Sequence, residues 1–283
     1  MNLRNIALLA ALLSLGLSAH AQSFSLREAG TNVQNSGFQQ NAFTQAEILG
    51  RIPNSALLQQ GFDRRLGSGL HSDAVGSFWL GFHKNTGESK HGQVLRIGVI
   101  IGTSYFSFGN FENKNTLRAD TLISSSNVAY LDSVDRQITS ISHRSEQLGL
   151  QAQYLFYYNT QSRWSLYGGL GVGMSGHFSG SYELHTYSDF FEQITINNQV
   201  YSGRSRYNFD REVEKHSTGT GVSGFVSIPI GLNFRIGRNP NNFWGSTHLF
   251  WEVQPNITYH AIDSDYPSLL SGLFQNFGFR VTW

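Results

Sequence analysis

Phe277-Gly278-Phe279-Arg280-Val281-Thr282-Trp283 closes the chain, and its alternation points to one class of fold. Side chains along a strand point to opposite faces in turn, so Phe277, Phe279, Val281 and Trp283 share one face while Gly278, Arg280 and Thr282 share the other. The last residue is a large aromatic on the apolar face. Chain ends fray in water, and a soluble fold seldom places such a group there. In a membrane β-barrel the closing strand does so, because its terminal aromatic sits in the interfacial girdle.

The other end reads as a secretory leader. Arg4 supplies a positive start, residues 6–17 are apolar, and Ala19-His20-Ala21 is a small-x-small cleavage site before Gln22. This apolar run is far short of the roughly 20 residues a spanning helix needs. Removal of residues 1–21 is therefore expected, with Gln22 opening the mature chain. The absence of cysteine excludes lipid attachment at a mature N-terminal thiol, disulfides and thiolate metal sites. Arg4 is one of 20 basic residues, so 19 remain against 19 acidic ones, and no basic field exists for nucleic acid. No second long apolar stretch follows, which leaves a closed barrel as the way across a bilayer.

Six further strands repeat the two-residue period. Phe78, Leu80 and Phe82 share a face, as do Leu95, Ile97, Val99 and Ile101. Leu148, Leu150, Ala152, Tyr154 and Phe156 oppose Gln147, Gly149, Gln151, Gln153 and Leu155. Leu166, Leu170, Val172, Met174 and Phe178 oppose Gly169, Gly171, Gly173, Ser175 and His177. Val222, Val226, Ile228, Ile230, Leu232 and Phe234 form the next apolar face, and Leu249, Trp251, Val253, Ile257 and Tyr259 the last. Residues 85–92, 159–163 and 237–245 read as tight turns, and 110–141 and 188–215 as long polar connections. Bacterial barrels have short periplasmic turns and longer outer loops. That rule places the short set in the periplasm and gathers Tyr154, Phe156, Tyr158, Trp164, Phe234, Phe243, Trp244 and Trp283 at one boundary. The strands near 142–158 and 164–187 exceed the roughly ten residues needed to cross, so they are expected to project outward as a hairpin. Thr121-Leu122-Ile123 and Ile194-Thr195-Ile196 would be outer pieces of it.

Both ends of the mature chain in the periplasm require an even strand number, so an eighth strand must come from residues 22–73. Thr44-Gln45-Ala46-Glu47 is a capping box ahead of Ile48 and Leu49, with a stop at Pro53, and predicts a short helix. Residues 56–70 are taken as the missing strand. The expected organisation is a leader over 1–21, a partly irregular segment over 22–73 supplying the first strand, and a barrel over 74–283. The fold class is all-β: a transmembrane antiparallel up-and-down barrel, eight strands, with long extracellular hairpin extensions.

A soluble barrel with its apolar face inside would show the same alternation. Its solvated face would carry Lys and Glu. Here the polar face is mostly Gly, Ser, Gln and Asn, and all four lysines (Lys84, Lys90, Lys114 and Lys215) lie at or beyond strand ends. That fits a narrow, packed lumen. Leu95-Arg96-Ile97-Gly98, Ile228-Pro229-Ile230-Gly231-Leu232-Asn233-Phe234-Arg235 and Gly278-Phe279-Arg280-Val281-Thr282-Trp283 resemble the outer-membrane β-barrel domain proteins common in Bacteroidota. The resemblance covers roughly residues 74–283 and implies a bacterial outer-membrane location. It carries over no catalytic residue.

Gly171-Val172-Gly173-Met174-Ser175-Gly176 spells a dinucleotide fingerprint, but it lies inside a strand instead of opening a helix. Glycine there allows close approach of neighbouring groups. Arg96, Glu183, Arg235, Glu252 and Arg280 are read as lumen-facing charges that pair and fill the barrel, with a charged constriction on an ion path as the functional alternative. Trp283 is the barrel-closing aromatic. His177, His185, His248 and His260 also face inward, without spacing diagnostic of a metal or catalytic site. No catalytic residue, cofactor or metal is assigned. Asp189-Phe190-Phe191 and Arg204, Arg206, Tyr207, Phe209 and Arg211 mix charge with aromatics in the long outer loop, which reads first as a solvated loop packing on its own aromatics, with a binding site for a protein or glycan ligand as the alternative. The remaining expected partners are outer-membrane lipid and, through the C-terminal strand, the barrel-assembly machinery. A non-enzymatic role in envelope structure or adhesion is expected; the alternatives are a lipid-modifying barrel enzyme and a narrow pore.

Overall fold

The computed structural model describes residues 24–40, 45–59, 62–66, 69–84, 91–123, 128–196, 199–206, 211–239, 242–261 and 268–283. The leader, the Gln22 boundary, the turn at 85–90, Tyr207, Phe209 and the side chains of Arg204, Arg206 and Arg211 lie outside the described residues. Twelve strand segments form one sheet. They are β1 Phe24–Gln40, β2 Arg64–Leu66, β3 Gly69–Lys84, β4 His91–Ile123, β5 Val128–Tyr158 and β6 Trp164–Ile196. The rest are β7 Gln199–Arg206, β8 Arg211–Ser217, β9 Gly221–Ser227, β10 Ile230–Arg235, β11 Thr247–Ala261 and β12 Ser268–Thr282. Three short helices accompany them: α1 Gln45–Arg51, α2 Ala56–Gln59 and α3 Phe243–Ser246. No helix among the described residues is long and apolar enough to cross a membrane.

The sheet closes on itself. From β1 the antiparallel ladder runs through β3, β4 and β5 to β6. Both β9 and β10 then bridge β6 to β11. Finally β11 pairs with β12, and β12 returns to β1 from Glu28↔Thr282 to Gly37↔Leu273. The break between β9 and β10 falls at Ile228-Pro229, where proline has no N–H for a ladder. Hydrogen bonding persists across it, with the Gly169 amide donating to Pro229 O and the Ile228 amide to Pro255 O, both at 2.9 Å. A closed ring has no exposed edge and leaves no backbone group unpaired in a bilayer.

The N-terminal strand is not where the periodicity suggested. Residues 56–70 hold α2, β2 and the start of β3, while the strand that seals the ring is β1. The outward residues of β1 are Ala29, Thr31, Val33, Asn35 and Gly37, with one large apolar group among them. A register shift between Leu26 and Glu28 further breaks the alternation. The helix anticipated after the capping box is α1.

Burial follows the two-residue period throughout β3, β11 and β12. Phe78 is 73 % exposed and Leu269 72 %, whereas Asn276, Glu252 and Gln254 are buried. The outer wall is thus apolar and the lumen polar, the reverse of a soluble barrel. Residues 110–141, read as a polar connection, are largely strand: β4 and β5 stay paired from His91↔Tyr158 to Ile123↔Val128. β4 and β6 each span 33 residues, about 110 Å of extended chain, so β4–β6 stand far beyond the 15- and 16-residue strands of the ring.

A bulge reverses the faces at the base of this extension. The β5–β6 register shifts between Arg144 and Glu146, and Ser179 takes a left-handed backbone (φ 51°). Below it His177 and Ser175 face inward; above it Tyr182, Leu184 and Thr186 do.

Candidate functional site

Nearest the turns, the lumen is closed by an ionic knot. Arg96 on β4 approaches Glu28 on β1 (Nε–Oε1, 3.4 Å) and Glu252 on β11 (Nη1–Oε2, 3.4 Å). Arg280 on β12 pairs with the other oxygen of Glu28 and donates to Asn233 Oδ1 at 3.1 Å. Two carboxylates thus meet two guanidiniums, and all four side chains are buried. Neutral donors fill the remaining lone pairs, with Asn276 Nδ2 donating to Glu252 Oε1 at 2.9 Å and Gln254 Nε2 bonding the same oxygen. Arg96 also bonds the Tyr157 hydroxyl and lies 4.1 Å from the Trp79 ring centroid, while Arg280 lies 4.6 Å from that of Tyr157. Space for these groups comes from glycine on neighbouring strands. A Cβ at Gly81 would stand 2.1 Å from Glu28 Cγ, and one at Gly30 would stand 2.3 Å from the Trp79 ring.

Of the charges expected in the lumen, Arg96, Glu252 and Arg280 meet in this knot. Glu183 does not. It lies above the Ser179 bulge on the opposite face, where Lys215 Nζ at 2.9 Å holds its carboxyl below the usual range. Unbroken alternation predicted the wrong side for Glu183 and for His185, whose side chain is 26 % exposed. Arg235 sits half-buried at the turn-end mouth, directed to Gln161 O at 3.4 Å. With Arg27, Lys84 and Arg280 it lines a basic vestibule of about 760 Å³ that Trp283 borders. Glu28, the carboxylate that joins both arginines, was missed because the strand carrying it was missed.

Above the knot the interior turns from amides to imidazoles. His177 is held by Ser145 Oγ (3.2 Å) and Ser223 Oγ (2.9 Å); His248, by contrast, sits opposite Arg280 at the turn-end vestibule, with Asn233 Nδ2 3.0 Å from its Nδ1. His71 Nε2 lies 2.9 Å from Asp73 Oδ1 and 3.0 Å from Ser104 Oγ. These histidine–serine contacts are buried in the barrel interior, away from the apolar outer wall.

A second closure tops the imidazoles. Ile48 and Ile52 from the α1 segment and Leu57 and Leu58 from α2 pack against Phe106, Phe108 and Phe111 of β4, Ile141 of β5, and Tyr182 and Leu184 of β6. The described residues 45–59 therefore fold onto the inner face of the extension as a lid. Its latch is Glu214 on β8, which accepts from Ser55 Oγ at 2.6 Å and from the Ala56 amide at 3.2 Å, while Ser55 caps α2 through the Leu58 amide. Burial pushes the Glu214 carboxyl up, but the Ser55, Ala56 and His216 hydrogen bonds outweigh it and hold it below its ordinary value of 4.5. A depressed folded value means the latch is at full strength above the ordinary value and is lost as pH falls through the lowered one. Hydrogen-exchange protection at Ala56–Gln59 should therefore be constant near neutrality and fall in acid. Glu214→Gln should weaken it by about 1–2 kcal/mol already at pH 7. Protection indifferent to both changes would show that Glu214 does not hold the lid.

A closed antiparallel β-barrel, apolar outside and filled with polar groups inside, is the class that this fold and interior define. The sequence matches no protein-family model and no curated protein. Among solved structures the chain is similar to the translocator domain of autotransporter NalP from Neisseria meningitidis, at 10% identity over 99% of this chain and 98% of that one, TM-score 0.19. It is also similar to Pseudomonas putida OprB, at 7% identity over 94% and 96%, TM-score 0.15. A BenF-like porin from Pseudomonas fluorescens Pf-5 matches at 8% identity over 91% and 99%, TM-score 0.17. Likenesses of this size add nothing to the closed ring, which carries the fold by itself.

Proposed function

We propose that the protein is a non-conducting, non-enzymatic barrel of the bacterial outer membrane that carries a tall β-extension as a binding platform outside the cell. The observation that carries this reading is the double closure of the lumen, by the ionic knot at one level and the α1–α2 lid at another. On the reading that β9 and β10 are one interrupted stave and that β2, β7 and β8 flank the ring, the twelve segments reduce to eight staves: β1, β3, β4, β5, β6, β9–β10, β11 and β12. Barrels of about that size have interiors that side chains just fill. β1 begins opposite Lys84, and Trp283 lies at the same turn end, as an even stave number requires. Trp164, Phe243, Trp244, Tyr158 and Trp283 are all exposed there, which supports a girdle at the periplasmic boundary.

The extension supports partner binding. Beyond Glu112, β4 has β5 on one side and no strand on the other among the described residues. An open edge of this kind accepts an added strand. Leu117, Val200, Tyr201 and Val213 are exposed on the same extension. The ligand proposed there is a protein or glycan, and the barrel-assembly machinery is the proposed partner of β12. Purified barrel reconstituted in planar bilayers should show no large, steady conductance. Deleting residues 113–137, which removes the hairpin tip and keeps the ring, should abolish adhesion of whole cells while leaving barrel assembly intact. Open-channel conductance, or undiminished adhesion by the deletion variant, would defeat the reading.

A further inference from the structure

β3 and β11 never pair, yet they bring His71, Asp73 and His260 together across the lumen. All three side chains are buried, and one donor atom from each lies within 4.8 Å of the others. The His71 and His260 rings stand edge to face with centroids 4.5 Å apart. His260 is 3% exposed, and neither of its ring nitrogens has a hydrogen-bond partner among the described residues. Burying a polar ring with both nitrogens unanswered is costly, and native interiors answer such groups with a protein atom, a water or an ion. His177, 5.6 Å from His260 by ring centroid, does not answer it, because its own nitrogens meet Ser145 and Ser223.

We propose that His71, Asp73 and His260 hold a single zinc-class dication inside the barrel, tying β3 to β11 across the lumen. Two imidazoles and a carboxylate are the borderline donor set such ions take, with a fourth position left for water. Donors about 2.0–2.1 Å from a tetrahedral zinc stand roughly 3.3 Å apart. Asp73 Oδ1 and His71 Nε2 are already 2.9 Å apart, and one donor atom of each of the three residues lies within 4.8 Å of the others. A dication also answers the buried Asp73 carboxylate. Phe106, the cross-strand partner of His71, stands 5.5 Å from it between ring centroids, and all three donor side chains are buried, so an ion held there is enclosed and works as a structural tie.

The test uses the full mature chain refolded in detergent with Zn²⁺ and then stripped of loose metal on a chelating resin. Wild type should retain one equivalent of zinc. His260→Ala and Asp73→Asn should each bind at least about tenfold more weakly, since even the loss of an outer-shell partner costs that much. His83→Ala, at the turn-end vestibule, should bind as wild type does. Heat-modifiable migration on gels reports whether each variant has folded. If His260→Ala fails to fold, His260→Gln and Asp73→Asn carry the same comparison, with the absorption of tetrahedral Co²⁺ as a second readout. Wild type that retains no zinc after the resin, or folded variants that bind as tightly as wild type, would overturn the proposal.

Discussion

Glu28→Ala should lower stability by about 3–5 kcal/mol, the range for breaking a buried ion pair from one side. Its carboxylate reaches Arg96 with one oxygen and Arg280 with the other, and is itself fully buried. Removing it leaves Arg96 with Glu252 alone and takes away the carboxylate that Arg280 pairs with, so one positive charge in the lumen goes uncompensated. The midpoint of urea unfolding, followed by heat-modifiable migration, reads the loss. Lys215→Ala, which removes the exposed partner of Glu183, should move that midpoint little. Glu28→Gln combined with Arg280→Met leaves Arg96 paired with Glu252 and should recover much of what Glu28→Ala loses. A double variant as unstable as the single would mean that Glu28 acts by packing and not by charge.

Trp283→Asp should cut the amount of assembled barrel in cells several-fold while leaving synthesis unchanged. β12 forms the seam with β1, and the Trp283 amide donates to Arg27 O at 3.0 Å beyond the last ladder pair. The Trp283 ring is exposed on the outer wall and fills no core. A charge at a membrane boundary costs only about 0–1 kcal/mol in a folded barrel, so refolding of the purified variant should stay close to wild type. The gap between the two measurements isolates assembly. Equal yields in cells would remove Trp283 from any part in closure.

Where alternation was strong and unbroken, the wall could be read residue by residue. Arg96, Glu252 and Arg280 lie on polar faces whose apolar partners (Leu95 and Ile97, Trp251 and Val253, Phe279 and Val281) leave one possible orientation. The alternation of Phe78, Leu80 and Phe82, continued backward, would also have turned Asp73 and His71 inward, so that part of the histidine cluster was legible in principle. β1 gave no such signal. Its outward side carries small and polar residues, and a bulge near Arg27 shifts the phase ahead of Glu28.

Read alone, the chain settled the kind of wall: period-two strands with an apolar outer face, glycine and amides within, and an aromatic at the closing end. Those properties are local, since each depends only on residues two apart. Which inward charges meet was a question of tertiary structure. Glu28 and Arg280 are 252 residues apart in sequence and become partners only when the ring closes β12 onto β1. The extra residue at Ser179 turns Glu183 out of the lumen, and a bulge exists only relative to the strand it is paired with. The lid likewise needs β4, β5 and β6 already standing before Ile48, Ile52, Leu57 and Leu58 have an apolar face to cover.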